Sequence, residues 1–304
     1  MIAKLSATGV TVTDTAGSDV VRMIKFPPDL PADVTTLAWS KSSARILVGL
    51  PDQIHVFSIA DEDFHANIQN PSSAVTKPTF ICFGADDDEV CAWSAFGIKL
   101  TLFSLATSRA LEISNPKFYA PASAPRGASF RPSTRHLAVI TQSAGRDMVS
   151  THAPRTREVQ RAWFPDTVDA QGLLWSPDGR WLALWESAAQ GHKVLIYTPD
   201  GHLFKDWRGP ISPEVNSDLG PGVKLVMFSP DSARLAVVDG SCYICIINLT
   251  SMTEELKLQH SQDIESKDAL QVSLYESRNL MMAADKPVEY LEGEFSAAAR
   301  VSRV

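Results

Sequence analysis

Cysteine is scarce in this sequence. The 304 residues include four cysteines, Cys82, Cys91, Cys242 and Cys245, too few for the disulfide framework of a small secreted protein. Cys242 and Cys245 have the spacing of a zinc knuckle or a redox motif, but residues three apart on a strand point to opposite faces, and no second pair completes a metal site. Cys82 and Cys91 fall on the two arms of one predicted hairpin. We therefore predict reduced, structural thiols.

Long apolar runs and an excess of basic residues are also absent. No run approaches the roughly 20 apolar residues that cross a bilayer, and residues 1–6 lack the apolar core of a signal peptide. A net charge of −7 and an isoelectric point near 5.5 argue against an electrostatic nucleic-acid binder, while leaving room for a local basic patch. We expect a cytoplasmic protein with no direct contact to nucleic acid or membrane.

The motifs of common enzymes are missing as well. The chain has no Gly-x-Ser-x-Gly nucleophile elbow, phosphate-binding loop, dinucleotide fingerprint or His-Glu-x-x-His zinc motif. His136, His152 and His192 do not have the spacing of a triad or a ligand set. The acidic run at 86–89 occupies a predicted hairpin turn, and a solvated turn is favoured over a cation site. The sequence therefore predicts a non-enzyme without catalytic, cofactor-binding or metal-binding residues.

What the sequence does contain is a repeated hairpin. Residues 173–184, LLWSPDGRWLAL, consist of two apolar runs of strand length around Pro177, Asp178 and Gly179. Proline fixes φ, aspartate bonds to nearby backbone and glycine tolerates positive φ, so this trio favours a tight reversal. The segment is predicted to form an antiparallel hairpin that is buried on at least one side.

Four other segments repeat this layout. In all five, an aromatic residue is followed seven positions later by an aliphatic one, and the pairs are Trp39 and Ile46, Phe83 and Val90, Phe130 and Leu137, Trp175 and Leu182, and Phe228 and Leu235. Successive aromatics lie 44, 47, 45 and 53 residues apart, close to the roughly 40–45 residues of a four-stranded propeller blade. The longest interval contains an insertion at 207–222.

Each repeat continues with an apolar third strand and a more polar fourth, the gradient expected from the inside to the outside of a blade. The third strands are predicted at 54–59, 99–105, 147–151, 193–198 and 243–249, and the fourth at 64–68, 110–113, 158–164, 202–207 and 254–258. We therefore predict an all-β propeller of four-stranded blades, about six in number.

The predicted domain organisation follows the repeats. Residues 1–260 hold a partial first blade at 1–26, which lacks its first strand, and five full repeats at about 32–260. Residues 261–304 form a tail with one more strand at 268–276. The sequence leaves open whether the ring closes, and a chain with open strand edges is expected to aggregate.

The third strands also carry a resemblance. Their ends, Phe57-Ser58, Phe103-Ser104, Tyr197-Thr198 and Ile247-Asn248, stand where WD40 repeats have a Trp-Asp dipeptide. The match is degenerate, since the Gly-His pairs at 191–192 and 201–202 do not stand at the position of the WD40 Gly-His. Through the ordered runs at 98–105, 127–130, 172–186, 193–203 and 223–237, the chain resembles the WD repeat-containing protein 8 family.

This resemblance implies a non-enzymatic WD40-like scaffold at the centrosome or the spindle pole body, a cytoplasmic microtubule-organising centre. Members of that family act with a coiled-coil partner that anchors microtubule minus ends and, in fungi, with a minus-end-directed kinesin. They are longer than this chain, with an earlier strand and further repeats. We therefore expect a fragment truncated at both ends or an incomplete gene model.

The insertion at 207–222 is the predicted partner-binding loop, because long loops on a rigid framework often carry recognition. Trp207 and Arg208 are predicted to anchor the partner, and Ser212, which precedes a proline, is a candidate phosphorylation site. The alternatives are a neutral insertion and an aromatic surface formed by Trp181, Trp185 and Trp207.

A second class of function stays open. The Trp-Ser-Pro-Asp-Gly turn at 175–179 is similar to the turns of translation-initiation-factor-two-A-like propellers, which implies binding to the ribosome or RNA. A hydrolase bearing a propeller is a third alternative, and the missing nucleophile motif counts against it.

Overall fold

The computed structural model describes residues 1–6, 8–15, 19–26, 34–69, 78–94, 97–117, 126–209, 222–240 and 243–259. In these residues 23 strands form six antiparallel sheets, and a 3-10 turn lies at Ala188–Gln190. Sheet 1 has three strands and the other five have four. The predicted all-β fold is confirmed. The division into repeats at 1–260 and a tail at 261–304 stays a prediction, because residues 260–304 lie outside the described ones.

The first three sheets contain eleven strands. Sheet 1 holds β1 (Ile2–Ser6), β2 (Gly9–Thr13) and β3 (Val20–Lys25). Sheet 2 holds β4 (Thr36–Trp39), β5 (Arg45–Gly49), β6 (Gln53–Ser58) and β7 (His65–Gln69). Sheet 3 holds β8 (Pro78–Phe83), β9 (Glu89–Ser94), β10 (Lys99–Ser104) and β11 (Arg109–Ser114).

The last three sheets contain twelve strands. Sheet 4 holds β12 (Ala128–Phe130), β13 (Leu137–Ser143), β14 (Arg146–His152) and β15 (Val159–Trp163). Sheet 5 holds β16 (Ala170–Trp175), β17 (Leu182–Glu186), β18 (Val194–Tyr197) and β19 (Leu203–Trp207). Sheet 6 holds β20 (Val223–Phe228), β21 (Arg234–Asp239), β22 (Tyr243–Asn248) and β23 (Glu254–Gln259).

Every sheet is a meander, in which strands that follow one another in the chain are hydrogen-bonded neighbours. The inner strands are the most buried, as in β9 and β17, where all residues are buried, whereas the fourth strand is largely exposed, as in β15. Four-stranded meanders with buried inner and exposed outer strands are the blades of a β-propeller. The sheets therefore have the architecture of WD40 blades.

The aromatic and aliphatic residues seven apart have a structural meaning. They are partners across the first hairpin of a sheet in four cases: Trp39 with Ile46, Phe83 with Val90, Phe130 with Leu137, and Phe228 with Leu235. One backbone hydrogen bond of 2.7–3.0 Å closes each of the five turns, and its donor and acceptor residues are Ser40 and Arg45, Gly84 and Glu89, Arg131 and His136, Ser176 and Trp181, and Ser229 and Arg234. The repeat in the sequence is thus a repeat of hairpin register.

In sheets 1–4 the core lies between consecutive sheets, because the side chains of the second strands β5 and β9 alternate between the two neighbouring sheets. Ile46 and Val48 pack with residues of sheet 1, whereas Leu47 between them packs with sheet 3. In the same way, Cys91 and Trp93 pack with sheet 4. A strand buried on both faces reads as a continuous apolar run, which is the pattern of all five hairpins.

The chain forms two compact units, residues 1–167 with 171–173 and residues 168–170 with 174–304. In the second unit, Trp185 and Val194 of sheet 5 and Leu235 and Val237 of sheet 6 belong to one buried cluster. Full burial of such a side chain stabilises the fold by roughly 1.5–3 kcal/mol.

Candidate interaction surfaces

The acidic turn of sheet 3, residues 84–88, connects three sheets through ion pairs. Asp88 accepts a contact of 2.6 Å from Arg45 of sheet 2, and Asp86 accepts one of 2.8 Å from Arg135, which precedes β13 of sheet 4. Ser42 donates a hydrogen bond to Asp87. The side chain of Asp88 is 52% exposed, but Asp86 and Asp87 are only partly exposed and Glu89 is buried. The prediction of a solvated turn at 86–89 therefore fits Asp88 and is wrong for Glu89, and the carboxylates of this turn join neighbouring sheets.

A buried ion pair lies beside this turn. Arg157, between β14 and β15, contacts Glu89 at the start of β9 through two bonds, Nε to Oε1 at 2.6 Å and Nη2 to Oε2 at 2.7 Å. Both side chains are nearly inaccessible, at 5% and 11% exposure. Arg157 Nη1 also donates to the carbonyl oxygen of Arg135 at 2.8 Å, and Glu89 accepts the N–H of Ala85 at 2.9 Å. Such bidentate pairs are strong and directional.

His152 extends this network. Its Nδ1 lies 2.9 Å from the carbonyl oxygen of Arg157 and its Nε2 lies 2.9 Å from Ser150 Oγ. Nδ1 must therefore carry the proton, and the serine hydroxyl donates to Nε2. A serine beside a histidine resembles a nucleophile with its base, but both residues are buried and the orienting group is a carbonyl instead of a carboxylate. The pair therefore supports the fold.

The two other histidines considered in the sequence, His136 and His192, contact different residues and do not share a site with His152. His136 Nδ1 lies 2.8 Å from the hydroxyl of Thr134, and His192 Nε2 lies 3.1 Å from Asp239 Oδ2. Sequence reasoning did not single out the pair of His55 and His65, whose ring nitrogens are 2.8 Å apart. Among the described residues, no group of three or more His, Cys, Asp or Glu side chains is arranged to hold a metal ion.

The predicted partner-binding loop is described only at its ends, residues 207–209 and 222. Trp207 ends β19 and is 6% exposed, within the core cluster of sheets 5 and 6. Its ring meets that of His192 edge to face at 6.3 Å. The side chain of Arg208 is 71% exposed and contacts Asp206 at 2.9 Å, while Ser212 lies outside the described residues. A role for the Trp207 ring would require this end of the strand to open, and the roles of Arg208 and Ser212 stay predictions.

The alternative aromatic surface is reduced to one of its three tryptophans. Trp185, like Trp207, is buried, whereas Trp181 is partly exposed and stacks on Phe204 at 4.3 Å. Phe204 is 43% exposed and was not singled out from the sequence. Phe204 lies on β19 next to the exposed Leu203. Its exposure could not be predicted from the sequence, because the sequence does not show which face of β19 is turned to solvent.

The described cysteines are free thiols. Cys82 and Cys91 are partners across the first hairpin of sheet 3, as the sequence predicted, and burial together with a hydrogen bond to Cys82 raises the pKa of Cys91 well above its usual value. Burial, with a smaller contribution from the charge of Glu254, raises the pKa of Cys245 to about 11. Protonated, buried thiols are poor nucleophiles and metal ligands. Cys242 lies outside the described residues.

Repeated four-stranded meanders with buried inner strands and exposed outer strands define a repeat protein built from propeller blades. Its relatives are WD repeat-containing proteins. The chain is 28% identical over 203 residues to "WD repeat-containing protein WRAP73" of Mus musculus, which covers 66% of this chain and 40% of that protein. It is 26% identical over 170 residues to "Uncharacterized WD repeat-containing protein C32H8.09" of Schizosaccharomyces pombe, and the matched region covers 54% of this chain and 32% of that protein.

The matched regions thus amount to less than half of the length of either relative. No protein-family model matches the chain. In the described part of the chain, no helix has the length and apolarity to cross a membrane. The similarity supports the WD-repeat class and, with it, a framework that binds proteins.

Proposed function

We propose that this chain is part of a non-enzymatic WD-repeat scaffold of the WD repeat-containing protein 8 family, located at the spindle pole body or centrosome. The observation that carries the proposal is the hairpin register repeated in sheets 2–6, together with the similarity to WD repeat-containing proteins. The partners would be a coiled-coil protein that anchors microtubule minus ends and a minus-end-directed kinesin.

The distribution of charged groups supports binding over catalysis. Glu89 and Arg157, the most buried carboxylate and guanidinium of the network beside the acidic turn, neutralise each other across two sheets. His152 is buried and faces a hydroxyl and a carbonyl. These groups are used in holding sheets together, whereas the turns and outer strands, which differ from sheet to sheet, are left for recognition.

Affinity capture from cells tests this proposal. The full-length protein carries an affinity tag and a fluorescent tag, and the tag alone serves as the control. Recovery of a coiled-coil minus-end anchoring protein and a kinesin, with fluorescence at the spindle poles, is the expected result. Recovery of ribosomal subunits with diffuse fluorescence would instead favour the alternative, a translation-initiation-factor-two-A-like propeller that binds the ribosome or RNA.

A further inference from the structure

We propose that the outer strand of sheet 4, β15, is a docking site for an acidic, extended segment of a partner protein. The site, which we name the β15 surface, consists of Arg146, Arg155, Val159, Arg161 and Phe164. The inference rests on the proposed scaffold function and gives it a location and a ligand chemistry. It follows from the charge, the exposure and the open edge of this strand.

Sheet 4 is basic in an acidic chain. Residues 126–167 contain seven arginines and no lysine against three carboxylates, Asp147, Glu158 and Asp166, an excess of four positive charges, whereas the whole chain has a net charge of −7. An excess of arginine on one sheet produces a local positive potential that the total charge conceals. The local basic patch for which the net charge leaves room is therefore found here.

Some of these arginines form ion pairs with carboxylates of sheet 3, and others are exposed to solvent. Arg157 is bound to Glu89 and Arg135 to Asp86. Arg155 and Arg161 are exposed and form no ion pair with any described residue. Arg146 is exposed and lies over the ring of Phe164, with its guanidinium carbon 4.7 Å from the ring centroid. Three guanidinium groups therefore lie along β15: Arg155 in the turn before it, Arg161 on it, and Arg146 over the ring of Phe164 that follows it.

The same strand exposes apolar side chains and an unpaired edge. Val159 is 60% exposed and Phe164 is 50% exposed, one at each end of β15. Within the described residues β15 pairs with β14 alone, so the N–H and C=O groups of its outer edge are available to a further strand. An extended peptide can add to such an edge through backbone hydrogen bonds while its side chains provide specificity.

The outer strands of the other four-stranded sheets lack this combination. β11 and β19 each contain one cation and one carboxylate, Arg109 with Glu112 and Lys205 with Asp206 in the sequence of the strand, and β7 has no Asp, Glu, Lys or Arg. In β23, two glutamates outnumber one lysine. Among the described outer strands of the four-stranded sheets, β15 is the one with only a positive charge. In sheet 1, β3 also has cations alone, Arg22 and Lys25. Arg22 is only partly exposed and donates a hydrogen bond of 3.1 Å to the carbonyl oxygen of Ile59, so β3 has one fully exposed cation where the β15 surface has three. A strand edge matches the backbone of a peptide and not that of a nucleic acid, so the complementary ligand is an acidic polypeptide.

Peptide binding to the purified 304-residue chain tests this inference. The probe is a fluorescein-labelled decapeptide of alternating aspartate and valine, measured by fluorescence anisotropy. It is compared with an aspartate–serine peptide of equal charge, a lysine–valine peptide and a single-stranded oligouridylate of equal charge. We expect the aspartate–valine probe to bind best, to weaken as salt shortens the screening length, and to slow hydrogen exchange of the amides at 159–163.

Charge reversal locates the site. The double variant Arg155→Glu/Arg161→Glu should weaken binding of the aspartate–valine probe by at least about fivefold, because two attractions between exposed charges become repulsions. Arg109→Glu is the matched control, because Arg109 is exposed on an outer strand and forms no ion pair with a described residue. All variants should keep the urea midpoint of the parent chain.

Three results would overturn the inference: no binding of the aspartate–valine probe, equal binding by the double variant, or tighter binding of the oligouridylate with the same arginine dependence. These results are separable from failure of the scaffold proposal. A full-length double variant that still captures its partners would retain the scaffold and reject the β15 surface, whereas a parent protein that captures no partners would reject the scaffold itself.

Discussion

The ion pair between Glu89 and Arg157 is the residue-scale feature with the largest expected effect on stability. Removing one partner of a buried pair leaves an uncompensated charge, at a cost of about 3–5 kcal/mol. We predict that Glu89→Gln lowers the free energy of unfolding by about 3 kcal/mol, as measured by urea denaturation. The double variant Glu89→Gln/Arg157→Met should recover a large part of this loss, because it removes the stranded guanidinium.

Arg135→Ala is the control for this prediction. It removes the ion pair with Asp86, but the side chain of Arg135 is 54% exposed and its carbonyl, which Arg157 uses, is retained. Exposed pairs contribute about 0–1 kcal/mol. If Arg135→Ala and Glu89→Gln cost the same, burial does not determine the strength of these pairs.

Backbone strain in the hairpin turns gives a second prediction. Gly179 has a φ of 72° in the turn of sheet 5, and Ser43 has a φ of 62° in the corresponding turn of sheet 2. A residue with a Cβ loses roughly 1–2 kcal/mol in this region, which the extra chain entropy of glycine partly offsets. We expect Ser43→Gly to raise the free energy of unfolding by about 0.5 kcal/mol.

The reverse change at the other turn is the matched test. Gly179→Ala should lower the free energy of unfolding by about 1 kcal/mol. Both values would be read from the urea midpoint. Stabilisation by Gly179→Ala would show that the positive φ of this turn carries no cost.

At the scale of the element, the second strand of each sheet is expected to dominate stability. Leu235 of β21 is fully buried, whereas Leu256 of β23 in the same sheet is 51% exposed. We predict a loss of about 2–5 kcal/mol for Leu235→Ala and a change within about 0.5 kcal/mol for Leu256→Ala. Thermal or urea unfolding measures both, and equal losses would contradict the inner-to-outer gradient.

The hairpins were predictable from sequence because their signals are local. Trp39 and Ile46 are seven residues apart and are also partners in the sheet, so a spacing in the chain translates directly into register. The Pro177-Asp178-Gly179 turn likewise contains its own determinants, including the hydrogen bond from Ser176 to Asp178. The strands that follow each hairpin were found for the same reason, since a meander brings together neighbours in the chain.

Contacts between repeats were not predictable in this way. Arg157 and Glu89 are 68 residues apart, and each is an unremarkable polar residue near a turn when one sequence is considered alone. The acidic run at 86–89 was interpreted as a solvated turn because its cations lie on other sheets. Trp207 is the converse case. The sequence placed it both at the end of the strand 202–207 and at the start of the insertion as a partner anchor, and in the structure it ends the strand with its ring packed inside.

At the scale of the whole molecule, the histidines predict how stability depends on pH. Burial lowers the pKa of His55, His65, His136 and His152, and the charge of His65 adds to this effect at His55. When a folded pKa lies below the unfolded value of about 6.5, the unfolded chain binds more protons in the interval between them. Stability should therefore be fully present above about pH 6.5 and decrease as the pH falls.

Urea denaturation at pH 7.5 and pH 5.5 measures this effect. We expect a lower midpoint at pH 5.5, and a smaller difference between the two pH values in the variant His55→Gln, which removes one titrating ring of the closest pair. A midpoint that is unchanged or higher at pH 5.5 would contradict the prediction.

The ion pairs beside the turn of sheet 3 also bear on how such a chain can evolve. Its repeats have the same backbone, yet Asp88 fits the arginine of sheet 2, whereas Asp86 and Glu89 fit the arginines near sheet 4. In the turn of sheet 5, the carboxylate of Asp178 accepts hydrogen bonds from Ser176 and Arg180 of the same turn and not from an arginine of another sheet in the described part of the chain. Exchanging these two repeats in the sequence would preserve every hairpin but would lose three ion pairs between sheets. The charged residues of the turns therefore favour one order of the repeats along the chain.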